Sequence, residues 1–105
     1  MDAKSAPSIP ALQQRADHVA GRLALVANAK RLLILCELAT GERSVGSLQA
    51  AVGLSQSALS QHLAKLREAR MVDTRREGQA IYYSICDPDV QVLMSALYEA
   101  FCRER

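Results

Sequence analysis

Two serines and one glycine between residues 44 and 69 constrain this chain more than any other feature. In SVGSLQAAVGLSQSALSQHLAKLREA, Ser44 is placed to cap a helix starting at Val45, and Gly53 to stop it in the left-handed conformation. Ser55 then caps the next helix, QSALSQHLAKLREA, at once. Two helices joined by about three residues that include glycine form a helix-turn-helix. Directly after it, MVDTRR, EGQ and AIYYSI read as two short strands around a glycine-containing turn, because Val, Ile and Tyr suit a pleated, half-buried surface. A hairpin in that position is a wing.

The flanks are helical. Leu12, Ala16, Val19, Leu23 and Val26 recur at spacings of three and four, which predicts a helix over about 11–26. Asn28 caps a second helix in which Leu32, Leu33, Ile34, Leu35 and Leu38 occupy most of the circumference. That distribution predicts a central, nearly enclosed helix, with a seam only near Lys30 and Glu37 and a stop at Gly41. Asp87 and Pro88 open a last helix whose apolar stripe is Val90, Leu93, Leu97 and Phe101. The predicted order is α-α-α-α-β-β-α, a mainly α winged helix-turn-helix with a small β-hairpin.

A chain of 105 residues supports one modest core. Residues 1–10, with Ser and Pro, are expected to form a flexible N-terminal tail, and residues 11–105 the single domain. Half the residues are apolar, yet no apolar run approaches the roughly 18–20 residues of a bilayer span. MDAKSAPSIP lacks the apolar segment of a signal peptide. A cytoplasmic protein without a membrane partner is therefore expected. Cys36, Cys86 and Cys102 are an odd set without small-scaffold spacing, so reduced thiols are expected rather than a disulfide framework. The absence of Cys-x-x-Cys on a βαβ pattern argues against a thiol-redox enzyme, and no catalytic residue is assigned. Net charge is +2, which neither requires nor excludes nucleic acid.

On a helical wheel, Leu59, Leu63 and Leu66 share one face of the second helix of the motif, and Ser57, Ser60, Gln61 and Ala64 point away from it. Short hydroxyl and amide side chains suit a helix pressed into the major groove, where glutamine pairs with adenine and serine with bases or phosphates. Gln56, Ser57, Ser60 and Gln61 are the candidate readers. His62, at the edge of the apolar face, is either a packed histidine or a phosphate and base contact. Arg75 and Arg76 end the first wing strand, where guanidinium groups grip phosphates or enter a minor groove, or simply keep the edge from pairing.

These residues carry a family likeness. ALVANAKRLLILCELATGERSVGSLQAAVGLSQSALSQHLAKLREARMVDTRREGQAIYYSI, residues 24–85, resembles the ArsR family of bacterial winged helix-turn-helix repressors, most tellingly in SVGSL, LSQSALSQHLAKLREARMV and REGQAIYY. The resemblance implies a homodimer paired through its first and last helices. It also implies binding to double-stranded operator DNA at an inverted repeat and release by an inducer. A two-fold dimer sets its recognition helices about one DNA turn apart.

The inducer follows from a narrower resemblance. Many members of the family sense metals through paired cysteines, or through Asp and His on the last helix. Here LLILC has a single cysteine, and the chain's two histidines, His18 and His62, both lie outside the last helix. No metal ligand set and no cofactor is assigned. LLILC and SALYEAFC instead resemble the LxILC and NALYxxFC segments of the subgroup that responds to sulfide through persulfides, and Cys36 and Cys102 match its two cysteines. This resemblance implies redox sensing: a repressor released when reactive sulfur species bridge Cys36 to Cys102.

Three alternatives stay open: metal or metalloid sensing through Cys36, Cys86 and Cys102, general thiol oxidation by peroxide, and an inert, buried Cys36. Cys86 is a spectator or a resolving thiol. At 100° per residue Cys102 shares a ridge with Met94 and Tyr98, displaced from Leu93 and Leu97, so it is able to face the helix of Cys36. α-Carbons more than about 7 Å apart exclude a plain disulfide without backbone movement, whereas extra sulfur atoms lengthen the bridge. Lys30 and Arg31 are the nearby cations expected to favour a Cys36 thiolate.

Overall fold

The computed structural model describes residues 8–103. Most of the expected tail, residues 1–7, lies outside the described residues, and Ile9 and Pro10 already belong to a helix. This helix, α1 (Ile9–Gln14), has proline in its first turn, and the Ser8 hydroxyl accepts from the Ala11 N–H. The single helix expected over 11–26 is two, α1 and α2 (Ala16–Val26), separated at Arg15 with φ −109° and ψ 6°. Neither Gly nor Pro marks the break, so the three-and-four spacing runs through it unaltered.

Asn28 caps α3 (Ala29–Ala39) by accepting from the N–H groups of Lys30 and Arg31. Arg43–Ser44 then forms a two-residue strand, β1, absent from the sequence reading, and Ser44 also caps α4 (Val45–Val52). Gly53 ends α4 at φ +66°, and Ser55 accepts from Ala58 N–H to start α5 (Gln56–Glu68). The wing is β2 (Val72–Glu77) and β3 (Ala80–Ile85), and Asp87 caps α6 (Pro88–Phe101). The sheet is three-stranded and antiparallel in the order β1-β3-β2. β1 pairs Arg43 with Tyr83 and Ser44 with Tyr82, a tertiary contact that two residues of sequence do not announce.

α5 ends without a glycine. Arg70 takes φ +60°, Arg70 N–H donates to Arg67 O at 2.9 Å and Met71 N–H to Leu66 O at 3.0 Å. This is a Schellman closure, and the burial of Met71 offsets the cost of a left-handed arginine.

The core draws Ile34, Leu35 and Leu38 from α3, Leu48 and Val52 from α4, Leu59, Leu63 and Leu66 from α5, and Val90 and Met94 from α6. The expectation that the helix of Cys36 is nearly enclosed is corrected. Leu33 is 47% exposed and Cys36 is also exposed, because the chain covers only the Ile34–Leu35–Leu38 side of α3. On α6, Val90 and Met94 are buried, Leu93 and Leu97 pack partly, and Phe101 is 82% exposed. Among the described residues, no helix is long and apolar enough to cross a membrane.

Candidate nucleic-acid interface and thiol pair

With Leu59, Leu63 and Leu66 buried, α5 turns Ser57, Ser60, Gln61 and Ala64 to solvent, as the wheel predicts, and Gln56, its first residue, is exposed as well. Lys65 and Arg67 add cations in its last turn. Lys65 continues the Gln61 face at a spacing of four, a signal that the sequence itself carries.

The far end of α5 is held from two sides. Arg22 of α2 donates to Ala69 O at 3.0 Å and pairs with Asp87, the cap of α6. Cys86 N–H donates to Met71 O, and the Cys86 thiol to Arg70 O at 3.3 Å. The orientation of α5 is thereby tied to both flanking helices.

His62 is half-buried on α5 against α3. Arg31 Nη1 lies 3.4 Å from its Nδ1, while Arg31 Nε donates to Leu25 O at 2.6 Å. Burial, then Arg31 and Lys65, push the His62 pKa down.

Strand alternation separates the two wing arginines. Arg75 is opposite Tyr82, and its guanidinium stacks 4.7 Å from that ring. It also binds both carboxylate oxygens of Glu42, at 3.0 and 2.7 Å, and Glu77 at 2.7 Å. These bonds push the Arg75 pKa further up and that of Glu42 down. Arg76, opposite Ile81, lies on the other face, shared with Val72 and Thr74, and has no ion pair among the described residues. Arg75 is thus a strut between the wing and the α3–β1 loop, and Arg76 is the guanidinium left without an acidic partner.

Cys36 on α3 and Cys102, which follows α6, are both free and exposed. α3 packs against α6, and a groove of about 350 Å³ between them is lined by Cys36, Ala39, Met94, Ser95, Tyr98 and Glu99. Partial desolvation of the exposed thiol by its surroundings, then the charges of Cys102 and Glu37, push the Cys36 pKa up. The expected help from Arg31 is corrected, since that side chain is committed to Leu25 and His62. Among the described residues, no three His, Cys, Asp or Glu side chains gather as a metal site would need.

Residues 28–74 match the profile of the bacterial regulatory protein, arsR family. The Biofilm growth-associated repressor of Agrobacterium fabrum is 46% identical over 94 residues, covering 90% of this chain and 80% of the relative. The solved structure of the transcriptional repressor BigR from Xylella fastidiosa superposes with a TM-score of 0.87 at 37% identity, covering 93% of this chain and all of that one. A homodimeric winged helix-turn-helix DNA-binding domain from Mycobacterium bovis aligns with a TM-score of 0.73 at 33% identity, over 91% and 88% of the two chains.

Proposed function

Because the chain belongs to the ArsR family, whose members are DNA-binding transcription regulators and not enzymes, we propose that it is a homodimeric repressor released from its operator when reactive sulfur species bridge Cys36 and Cys102. The observation that supports this reading is the packing of α3, which carries Cys36, against α6, which ends at Cys102. The two thiols come from distant parts of the chain, and both are free and exposed. In the DNA-bound form, α5 enters the major groove with Gln56, Ser57, Ser60 and Gln61 toward base edges and phosphates, and His62 at its border. Arg76 grips the backbone from the wing, while Arg75 holds the wing in place. α1, α2 and α6 leave Ile9, Leu12, Leu23, Val92 and Phe101 exposed, and a second copy covers that apolar surface.

Each thiol takes one sulfur from an organic persulfide, RSSH, which leaves as RSH. The terminal sulfur of one cysteine persulfide then attacks the inner sulfur of the other. Hydrosulfide departs and a trisulfide joins the two side chains. No other oxidant is needed, because the sulfur donor is the oxidant. The bridge pins α6 to α3, and α6 begins at Asp87, which Arg22 ties to the end of α5. A coupling of only about 1–3 kcal/mol between bridge and operator weakens DNA binding several-fold to over a hundredfold.

Mass spectrometry of the dimer after treatment with an alkyl persulfide tests this. The expected product is a Cys36–Cys102 crosslink heavier than a disulfide by one sulfur atom, accompanied by loss of operator binding. Cys36→Ser and Cys102→Ser bind operator normally in reducing buffer and no longer respond. If either variant leaves the operator as wild type does, the two-thiol mechanism is wrong.

A further inference from the structure

His62 is held from the α3 side by a guanidinium that is itself anchored. Arg31 donates to the Leu25 carbonyl through Nε and approaches the imidazole Nδ1 through Nη1 at 3.4 Å. Arginine carries only donors, so for this contact to be a hydrogen bond Nδ1 must present a lone pair. The ring is then neutral and its single proton sits on Nε2. Burial first, then the charges of Arg31 from α3 and Lys65 from α5, push the imidazole pKa down and so favour that neutral form.

We propose that Arg31 is a positioning residue for operator recognition, holding His62 as the Nε2–H tautomer so that α5 offers a hydrogen-bond donor to an acceptor on the DNA. This rests on the reading above that His62 touches the operator. The acceptor is a phosphate oxygen or an acceptor atom on a base edge, and both take a proton from Nε2–H equally well. Without Arg31 the proton distributes over both nitrogens. In the Nδ1–H form the ring turns a lone pair toward phosphate oxygens that only accept. Arg31 acts through His62 in this scheme and does not touch DNA.

The test uses the reduced full-length dimer and an operator duplex selected by the wild-type protein. Dissociation constants are measured for wild type, Arg31→Leu, His62→Phe and the double variant, with nitrogen-15 NMR reporting the His62 tautomer and pKa. His62→Phe keeps a planar aromatic ring without its nitrogens and weakens binding roughly 3- to 10-fold, the worth of one hydrogen bond. Arg31→Leu loses part of that factor, and the double variant is no weaker than His62→Phe alone. In Arg31→Leu the His62 spectrum shifts from the Nε2–H form to a mixture and its pKa rises, changes that a loss of packing would not produce.

Additive losses would mean that Arg31 contacts DNA by itself, and an unaltered tautomer in Arg31→Leu would mean that it does not set the proton. Either result overturns the proposal while leaving His62 as a contact. If His62→Phe binds as wild type does, the contact itself is absent and the proposal falls with it. Methylphosphonate at one phosphate removes the His62 effect if a backbone oxygen is the acceptor, and a 7-deazapurine removes it if a base nitrogen is. Loss of the effect on replacing guanine by 2-aminopurine or thymine by 5-methyl-2-pyrimidinone identifies a carbonyl acceptor, and an effect that survives all of these substitutions along the whole duplex overturns the hydrogen bond.

Discussion

The two ends of this molecule bury their apolar surface differently. The reading end closes on itself: α5 places three leucines in the core, its start is capped by Ser55, and Met71 seals its last turn. At the other end α1 buries nothing, α2 buries only Val26, and α6 buries Val90 and Met94 while Phe101 stands in solvent. One end is completed within a single chain, and the other carries the exposed apolar surface that the proposed second copy would cover. The largest expected effect breaks the first end. Leu63→Ala, at a site 2% exposed, lowers the unfolding free energy by about 2–5 kcal/mol in denaturant titrations. A loss below about 1 kcal/mol would mean that the α5 core is loosely packed.

Phe101→Asp attacks the second end. If Phe101 sits at the centre of a dimer interface, its loss costs about 2–4 kcal/mol of association. Sedimentation equilibrium then shows the dimer dissociating at concentrations where wild type stays paired, with the circular dichroism of the subunit unchanged. Stability measured at several protein concentrations sharpens the contrast, since only an associating fold has a concentration-dependent melting point. Unchanged association would place the partner surface elsewhere on the exposed α1–α2 face.

The same contrast explains what the sequence disclosed. Ser44, Gly53, Ser55 and the Asp87-Pro88 pair act through local bonds and fixed φ values, so their meaning is written within a few residues. The outward set Ser57, Ser60, Gln61 and Ala64 follows from helical period alone, whereas Gln56 is exposed because it opens the helix. The enclosure of α3 was misread because apolar residues all round a helix look the same whether the chain covers them or leaves them for a partner. Leu33 and Cys36 fall on the uncovered side. β1, the Arg75–Glu42 strut and the Arg31–His62 contact depend on residues brought together from separate elements. Arg70 shows another limit: tertiary burial of Met71 imposes a conformation for which the local sequence holds no glycine.

The wing yields a smaller effect. Arg76→Ala weakens operator binding several-fold and reduces the slope of log affinity against log salt by about one, as expected for one lost phosphate contact. Arg75→Ala leaves that slope closer to wild type, because its guanidinium is already bonded to Glu42 and Glu77. The exposed pairs of Arg75 contribute only about 0–1 kcal/mol each to stability, so its removal loosens the wing more than it unfolds the protein. Equal slopes for the two variants would show that Arg75 exchanges its acidic partners for phosphate on binding.

The smallest effect concerns Cys36 and needs its sign worked out. Partial desolvation first, then Cys102 and Glu37, hold its pKa above the ordinary thiol value, so at neutral pH its thiolate fraction lies below that of a free cysteine. Site-resolved alkylation with iodoacetamide is therefore slow at pH 7 and accelerates through a range more alkaline than for a free thiol. A raised pKa also means that the folded chain holds this proton more tightly than the unfolded chain. The resulting contribution to stability is full below the unfolded pKa and is lost as pH rises through the folded one. Cys102→Ser removes one of the two repelling charges and speeds Cys36 alkylation near pH 9, with Glu37→Gln acting in the same direction. The desolvation persists in both variants, so neither restores the free-thiol rate. A Cys36 that alkylates at the free-cysteine rate at pH 7 would contradict this order of causes. A thiol that stays protonated at neutral pH reacts slowly with passing oxidants. In the proposed mechanism, Cys102 and a donor that delivers sulfur to both sites then decide whether the bridge forms.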